Sequence, residues 1–240
     1  MPAHLILRLE APLMSFGGDM IDAYGVVRDF PARSMVTGVI ANALVWERWE
    51  AERHSKLQDR LVMGAVRLRE GRRVRDFQTA QLGAGDRGWT TRGRFERRAG
   101  GAATYQSPHI RYRDADADAL VLVALRLEPA GDAPDLGAVA AALDRPERPL
   151  FVGRKPFLPS CPLSLATVDA ADVRGALMAA VKMVAPTLDG ASEAEPRAQW
   201  PLAEGGGEHV RAEELTDERD WVTGVHAGLR RVIVDRLGPA

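Results

Sequence analysis

The chain of 240 residues contains a single cysteine, Cys161. One cysteine excludes an internal disulfide framework and a metal site built from several thiolates. No stretch approaches the ~20 continuous apolar residues that a transmembrane helix needs. The first residues also lack the basic-then-apolar pattern of a secretion signal. We therefore expect a cytoplasmic protein that makes no contact with a membrane.

Sequence motifs for common cofactors are also missing. The five histidines are scattered, and none has the spacing of a zinc site. The sequence has neither the GxxxxGKS/T nor the GxGxxG phosphate loop, and it has no GxSxG nucleophile turn. These absences argue against metal, nucleotide-cofactor and serine-hydrolase chemistry, and we expect no cofactor.

The net charge of −1 gives little attraction for a polyanion, but the charges are unevenly distributed. Residues 67–113 hold twelve arginines and four acidic residues, whereas residues 189–220 hold ten acidic residues and three arginines. Such asymmetry predicts one surface for a polyanion and another that faces water or a basic neighbour.

Apolar periodicity predicts the order of the helices and strands. The predicted strands are 4–10, 61–69, 72–78, 110–113, 119–128 and 163–168, and the predicted helices are 34–53 and 135–143. Ser34 is expected to cap the first helix. Gly71 is expected to form the turn of a hairpin between strands 61–69 and 72–78.

The predicted order indicates an α+β fold. The glycine-rich segment 82–107 has no sustained periodicity, and so long an irregular loop is usually functional. Without it, the order matches the split βαβ pattern of ferredoxin-like and RNA-recognition domains. We expect a palm domain over 1–168, with an insertion over about 81–110, and a small acidic C-terminal region over 169–240.

Three segments are candidate nucleic-acid contacts. Arg33 and Ser34 begin a helix, where free N–H groups and the helix dipole favour a phosphate. Five aromatic residues lie among ten arginines between residues 72 and 113. This combination is typical of single-strand binding, in which each stacked base contributes ~1–3 kcal/mol. Gly153, Arg154 and Lys155 form a third candidate, with close backbone approach beside two cations.

An alternative function from the same residues is RNA cleavage without a metal. Such cleavage needs a general base, a general acid and cationic support. His109, with Tyr112, Arg111 and Arg113 beside it, offers these groups.

The sequence resembles a known family at four places. These are LILRLEAPLMSFG (5–17), FPARS with GVIANAL (30–34 and 38–44), RDFQTA (75–80) and RPLFVGRKPFLPSCPL (148–163). In this order they resemble the fifth numbered family of Cas proteins, in the RAMP superfamily, and within it the CasD subunits of type I-E CRISPR Cascade complexes. The last 75 residues match poorly.

The resemblance implies a RAMP version of the RNA-recognition fold, with the insertion forming a β-hairpin thumb. It implies a non-catalytic subunit in antiviral defence that grips the 5′ handle of the CRISPR RNA and caps one end of the complex. The implied neighbours are the CasC backbone subunit, the large CasA subunit, and target DNA near the guide strand. The alternative is a metal-independent endoribonuclease that processes CRISPR repeat RNA, as some type I-C relatives do.

The resemblance and the charge pattern together give one set of candidate RNA-binding residues. The key arginine near the end of the thumb is Arg111 or Arg113, and the sequence leaves both open. The full set is Phe16, Gly17, Arg28, Arg33, Ser34, Arg75, Phe77, Gln78, Thr79, Arg92, Arg94, Arg97, His109, Arg111, Arg113, Gly153, Arg154 and Lys155.

Overall fold

The computed structural model describes residues 1–21, 23–81, 88–89, 95–96, 108–188, 194–205 and 211–238. It is a mixed α+β fold, as the sequence predicts. The strands are β1 Ala3–Glu10, β2 Leu13–Met14, β3 Gly17–Ile21, β4 Tyr24–Val27, β5 Leu61–Arg69, β6 Arg72–Ala80, β7 Gly88–Trp89, β8 Phe95–Glu96, β9 His109–Ala117, β10 Leu120–Leu127, β11 Ser164–Asp169, β12 Arg197–Pro201, β13 Ala212–Leu215, β14 Glu218–Arg219, β15 His226–Ala227 and β16 Arg230–Arg236. The α-helices are α1 Arg33–Ala43, α2 Ala51–Arg60, α3 Leu136–Asp144 and α4 Val173–Val184, with 3-10 turns at Ala185–Thr187 and Leu202–Glu204.

Four strands of the main sheet have the ferredoxin-like order, β11–β1–β10–β5, and every neighbouring pair is antiparallel. Strand β10 lies between β1 and β5, which explains its nearly continuous apolar sequence, LVLVALRL. Its side chains alternate between two buried faces. The predicted strands 119–128 and 163–168 are confirmed.

Helices cover both faces of the main sheet. Leu5 and Leu7 of β1 join the core under α1 and α3, whereas Ile6 joins a second core under α4. Asp135 caps α3, because its carboxylate accepts a hydrogen bond from the Ala138 amide at 2.7 Å. The predicted helix 135–143 is confirmed.

The C-terminal residues add three strands to the main sheet. Strand β12 pairs with the free edge of β5, β16 pairs with β12, and β13 pairs with β16. A two-stranded pair, β14–β15, follows the segment around Asp217 and lies near α1.

A second sheet is built around β9. Strand β6 pairs with β9 over nine residue pairs, from Arg72 with Ala117 to Ala80 with His109. Strands β2 and β4 pair with the other side of β9, and β3 pairs with β4.

The expected hairpin between strands 61–69 and 72–78 is wrong. Both edges of β5 are occupied, one by β10 and one by β12, so β6 pairs with β9 instead. Gly71 (φ +68°) lets the chain cross between the sheets, because a Cβ there would lie 2.4 Å from the Ala117 carbonyl oxygen.

The expected single helix over 34–53 is also wrong. Helix α1 ends at Ala43, the chain turns through Val45 (φ +62°), and α2 begins at Ala51. Nor does Ser34 cap α1, because Ala32 holds the N-cap position and the Ser34 amide donates to the Asp217 carbonyl oxygen at 3.0 Å. Among the described residues, no helix is long and apolar enough to cross a membrane.

The predicted thumb lies mostly outside the described residues. Within 82–107 the structure describes only β7 and β8, which pair with each other. The candidate residues Arg92, Arg94 and Arg97 belong to the part that is not described.

Candidate nucleic-acid interface

An open cleft, which we call the central cleft, lies where α1, the β3–β4 pair and the loop after Leu150 meet. Its volume is about 510 Å³. The lining residues are Ser15, Gly17, Gly18, Gly25, Val26, Ala32, Ser34, Met35, Gly38, Val39, Asn42, Arg113, Asp114, Leu150, Phe151, Gly153, Arg154, Arg219, Trp221 and His226. Residues from distant parts of the sequence therefore form one concave surface.

Gly153 fixes one wall of the central cleft. The Ser15 amide donates to the Val152 carbonyl oxygen at 3.2 Å, which brings the two loops together. Gly153 has φ +92°, and a Cβ there would lie 1.7 Å from the Ser15 carbonyl oxygen. The close approach predicted from the sequence is thus made by the protein's own backbone, and it holds Arg154 at the cleft.

Three arginines, Arg113, Arg154 and Arg219, line the cleft and give it positive charge. Within the described ranges Arg113 has no carboxylate partner. Arg154 lies 3.9 Å from Asp76, a separation at the outer limit of an ion pair, and its guanidinium is stacked 5.1 Å from the Phe157 ring centre. Since neither Arg113 nor Arg154 is fully neutralised, the cleft suits an anionic ligand.

The predicted phosphate seat at the start of α1 already holds a carboxylate of the protein. The Arg33 amide donates to Asp217 Oδ2 at 3.1 Å, and the Arg33 guanidinium pairs with Glu218 at 2.6 Å. The helix dipole favours an anion there, and Asp217 supplies it. Ser34 remains at the cleft wall, although it is largely buried.

Buried charge pairs stabilise this arrangement. Burial alone would raise the pKa of Asp217, but hydrogen bonds and charge attraction from Arg230 and Arg33 hold that pKa below its usual range. Burial, with Arg230 nearby, lowers the pKa of Arg33. A hydrogen bond and an ion pair therefore hold the segment around Asp217 against the start of α1.

Phe16 and Arg28 are not among the residues that line the central cleft. The Phe16 side chain is fully buried in the main core, so it offers no surface to a bound strand. The Arg28 amide donates to the Phe16 carbonyl oxygen at 2.7 Å, and the Arg28 guanidinium donates to the Thr216 carbonyl oxygen at 3.0 Å. Gly17, beside them, lines the cleft.

An exposed aromatic cluster, which we call the tyrosine platform, lies on the second sheet. Tyr24 and Tyr112 stack with ring centres 5.1 Å apart, and Phe77 lies 5.6 Å from Tyr112. The Arg75 guanidinium lies 5.6 Å from the Tyr24 ring while it pairs with Asp114 at 2.7 Å. Tyr24 is 45% exposed and Phe77 is 55% exposed, so bases can stack on this surface.

The strand register divides the remaining candidates between two faces of the second sheet. Side chains alternate along a strand, and Phe77 pairs with Tyr112 whereas Gln78 pairs with Arg111. Thr79 therefore shares the face of the platform. The opposite face holds Gln78, His109, Arg111 and Arg113, of which Arg113 lines the central cleft. Lys155 is not among the residues that line the central cleft; it lines a neighbouring groove instead.

Comparison with known proteins gives the family. Residues 4–233 match the model of the family described as CRISPR-associated protein (Cas_Cas5). The chain belongs to the Cas5 family. No curated protein sequence matches it.

Two solved structures share the fold of this Cas5 family member. One is described as "CRISPR RNA-guided surveillance complex", with a TM-score of 0.68 and 21% identity over 97% of this chain and 89% of the other chain. The other is described as "Crystal structure of Cas protein", with a TM-score of 0.60 and 22% identity over 98% of this chain and 94% of the other. At these low sequence identities, the two comparisons establish a shared fold and nothing more specific.

Sequence reasoning missed several cleft residues of this Cas5 chain. Arg219, Trp221 and His226 reach the central cleft from the C-terminal region, which carries the weakest resemblance to the family. A tryptophan directly after charged residues, in the stretch ERDWVTG, was the available signal. Tyr24 was missed because its stacking partner, Tyr112, is far away in sequence.

Proposed function

We propose that this Cas5 family member is the non-catalytic CRISPR RNA-binding subunit of a type I-E surveillance complex in the cytoplasm. In this role it holds the 5′ handle of the RNA at one end of the complex, beside the CasC and CasA subunits. The observation that carries the proposal is the central cleft, where Arg113 and Arg154 line a concave wall without full neutralisation.

The geometry of the cleft supports RNA as its ligand. A single strand needs cations for its phosphates and close backbone approach for its sugars. Arg113 and Arg154 supply the cations, and Gly17, Gly18 and Gly25 line the wall without side chains. The shared fold with a protein of an RNA-guided surveillance complex also supports this role.

The tyrosine platform supports a second contact of the same subunit. It lies at the base of the predicted thumb, on the sheet face opposite Arg113. In the proposed complex the platform stacks against the guide strand or the target DNA beside it, while the handle occupies the central cleft.

The alternative, a metal-independent endoribonuclease, requires a general base and a general acid close to bound RNA, and histidine is the candidate side chain. His109 lies at the start of β9, away from the residues that line the cleft. His226 does line the cleft, and its Nδ1 lies 3.2 Å from the Glu218 carbonyl oxygen. These two histidines are therefore the ones that a test for cleavage must vary.

The test is binding of labelled repeat RNA from the host's CRISPR array to the full-length chain in EDTA. We expect intact RNA and tight, salt-sensitive binding, because phosphate contacts release counterions. Arg113→Ala should weaken binding about ten-fold, and joint replacement of Tyr24 and Phe77 by alanine should weaken it about five-fold or more. Arg145→Ala is the control, since its side chain is 91% exposed and lies outside both surfaces.

Two outcomes would contradict the proposal. Specific cleavage that disappears in His109→Ala or His226→Ala would establish the endoribonuclease. If the chain does not bind RNA and the assembled complex does not protect RNA at this subunit, the protein is a scaffold that contacts only other proteins.

A further inference from the structure

A second groove continues from the central cleft across the turn between α1 and α2. We call it the tryptophan groove. Three of its residues, Trp46, Trp49 and Trp221, are tryptophans, and its volume is about 840 Å³. It shares Gly38, Asn42, Phe151, Arg219 and Trp221 with the central cleft, so a strand leaving the cleft can enter it directly.

Among the described residues, the groove contains one arginine that pairs with a carboxylate and three cations that do not. Arg148 pairs with Glu47 and donates to the Trp46 carbonyl oxygen at 3.1 Å, which holds the turn in place. Arg48, Lys155 and Arg219 also line the groove, and within the described part of the chain none of them forms an ion pair. The groove therefore has a surplus of positive charge that an anionic ligand would neutralise.

Arg219 has unused hydrogen-bonding capacity. Its guanidinium lies 5.3 Å from the centre of the Trp221 ring. Its Nε is buried and has no hydrogen-bond partner among the described atoms.

Trp49 supplies an open stacking surface. It is 78% exposed at the groove, whereas Trp46 is nearly buried beneath the Arg53 guanidinium at 4.4 Å. The turn that presents Trp49 passes through Val45 at φ +62°, a conformation that branched residues rarely adopt. An exposed indole beside unpaired cations is the combination that single-stranded nucleic acid recognises.

We infer that the tryptophan groove binds the nucleotides of the RNA strand that extend beyond the central cleft, with a base stacked on Trp49 and phosphates at Arg48 and Lys155. This inference rests on the proposed function and adds a subsite to it. The charge surplus favours nucleic acid over a protein segment as the occupant.

The test uses fluorescein-labelled oligoadenylates, shortened one nucleotide at a time, and the full-length protein. For the unmodified protein we expect affinity to fall once the RNA no longer reaches the groove. Trp49→Ala should weaken binding of the long RNAs about five-fold or more and leave the short ones unchanged. Trp49→Phe should restore much of the loss. Arg48→Ala and Lys155→Ala should each flatten the salt dependence for long RNAs only.

Matched controls are Arg145→Ala and Lys182→Ala, which remove exposed cations outside the groove. If Trp49→Ala weakens all lengths equally, or none, while RNA still binds, the groove is not an RNA subsite and the proposed function stands. If Trp49→Ala leaves the length series unchanged but blocks assembly with other complex subunits, the groove is a protein interface. Absence of binding at every length overturns the inference, whereas the proposed function is decided separately by its own test with repeat RNA.

Discussion

At the scale of single residues, Gly153 determines whether the central cleft forms. The close contact with Ser15 leaves no space for a side chain, and φ +92° favours glycine independently. Gly153→Ala should therefore cost about 3 kcal/mol or more. By calorimetry, Tm should fall by about 6 °C or more.

Gly131→Ala is the matched control, because a Cβ there meets nothing within 4 Å. We expect its Tm within about 2 °C of the unmodified protein. A Gly153→Ala protein as stable as this control would show that the two loops are not packed as described.

Single residues also show the limits of sequence reasoning. The sequence marked Gly153 as a point of close approach, but only the fold reveals that the Ser15 carbonyl oxygen is what approaches. Phe16 was a candidate contact from its place in a shared motif, yet it is fully buried. A motif shows which residues a family has in common, and burial is decided by contacts that are distant in sequence.

At the scale of elements, the segment around Asp217 joins the C-terminal region to the start of α1. The Asp217–Arg230 pair is almost fully buried, and Asp217 also accepts from the Arg33 amide. Asp217→Asn should destabilise the protein by about 3 kcal/mol in urea unfolding at pH 7, since it leaves a buried arginine unpaired.

The contribution of Asp217 to the stability of the protein should depend on pH. The pKa of Asp217 is lowered on folding, so its contribution is complete above the unfolded value of about 3.9 and is lost as pH falls through the folded pKa. The difference between the two proteins should therefore shrink in acid. Glu214→Gln, at an exposed pair with Arg231, is the control and should cost less than about 1 kcal/mol. An equally small effect of Asp217→Asn would contradict the account.

Elements with strong local signals were predictable. Strand β10 follows from an apolar run and helix α3 from a short alanine-rich stretch. The partner of β6 was not predictable from the sequence. Strand β12, about 130 residues further along the chain, occupies the edge of β5 that β6 would otherwise use. The end of α1 at Ala43 likewise reflects packing that periodicity alone does not reveal.

At the scale of the whole molecule, charge is divided between binding surfaces and internal pairs. Many of the arginines that suggested a polyanion partner are paired within the protein, as Arg67 and Arg73 are with Asp116. The cations that remain unpaired at the central cleft and the tryptophan groove are few, and they lie on adjoining surfaces. The clustering of arginines in the sequence therefore overestimated how much of the protein surface is basic. A small number of basic residues lie together at the central cleft.

The most direct test of RNA binding at the central cleft is photo-crosslinking of repeat RNA that carries 4-thiouridine, followed by mass spectrometry of the crosslinked peptides. We expect crosslinks on β9 around Arg113 and on the loop that carries Gly153 and Arg154. Helix α4 packs on the face of the main sheet opposite α1 and should remain free of crosslinks. Crosslinks concentrated on α4, with none at the cleft, would contradict the account.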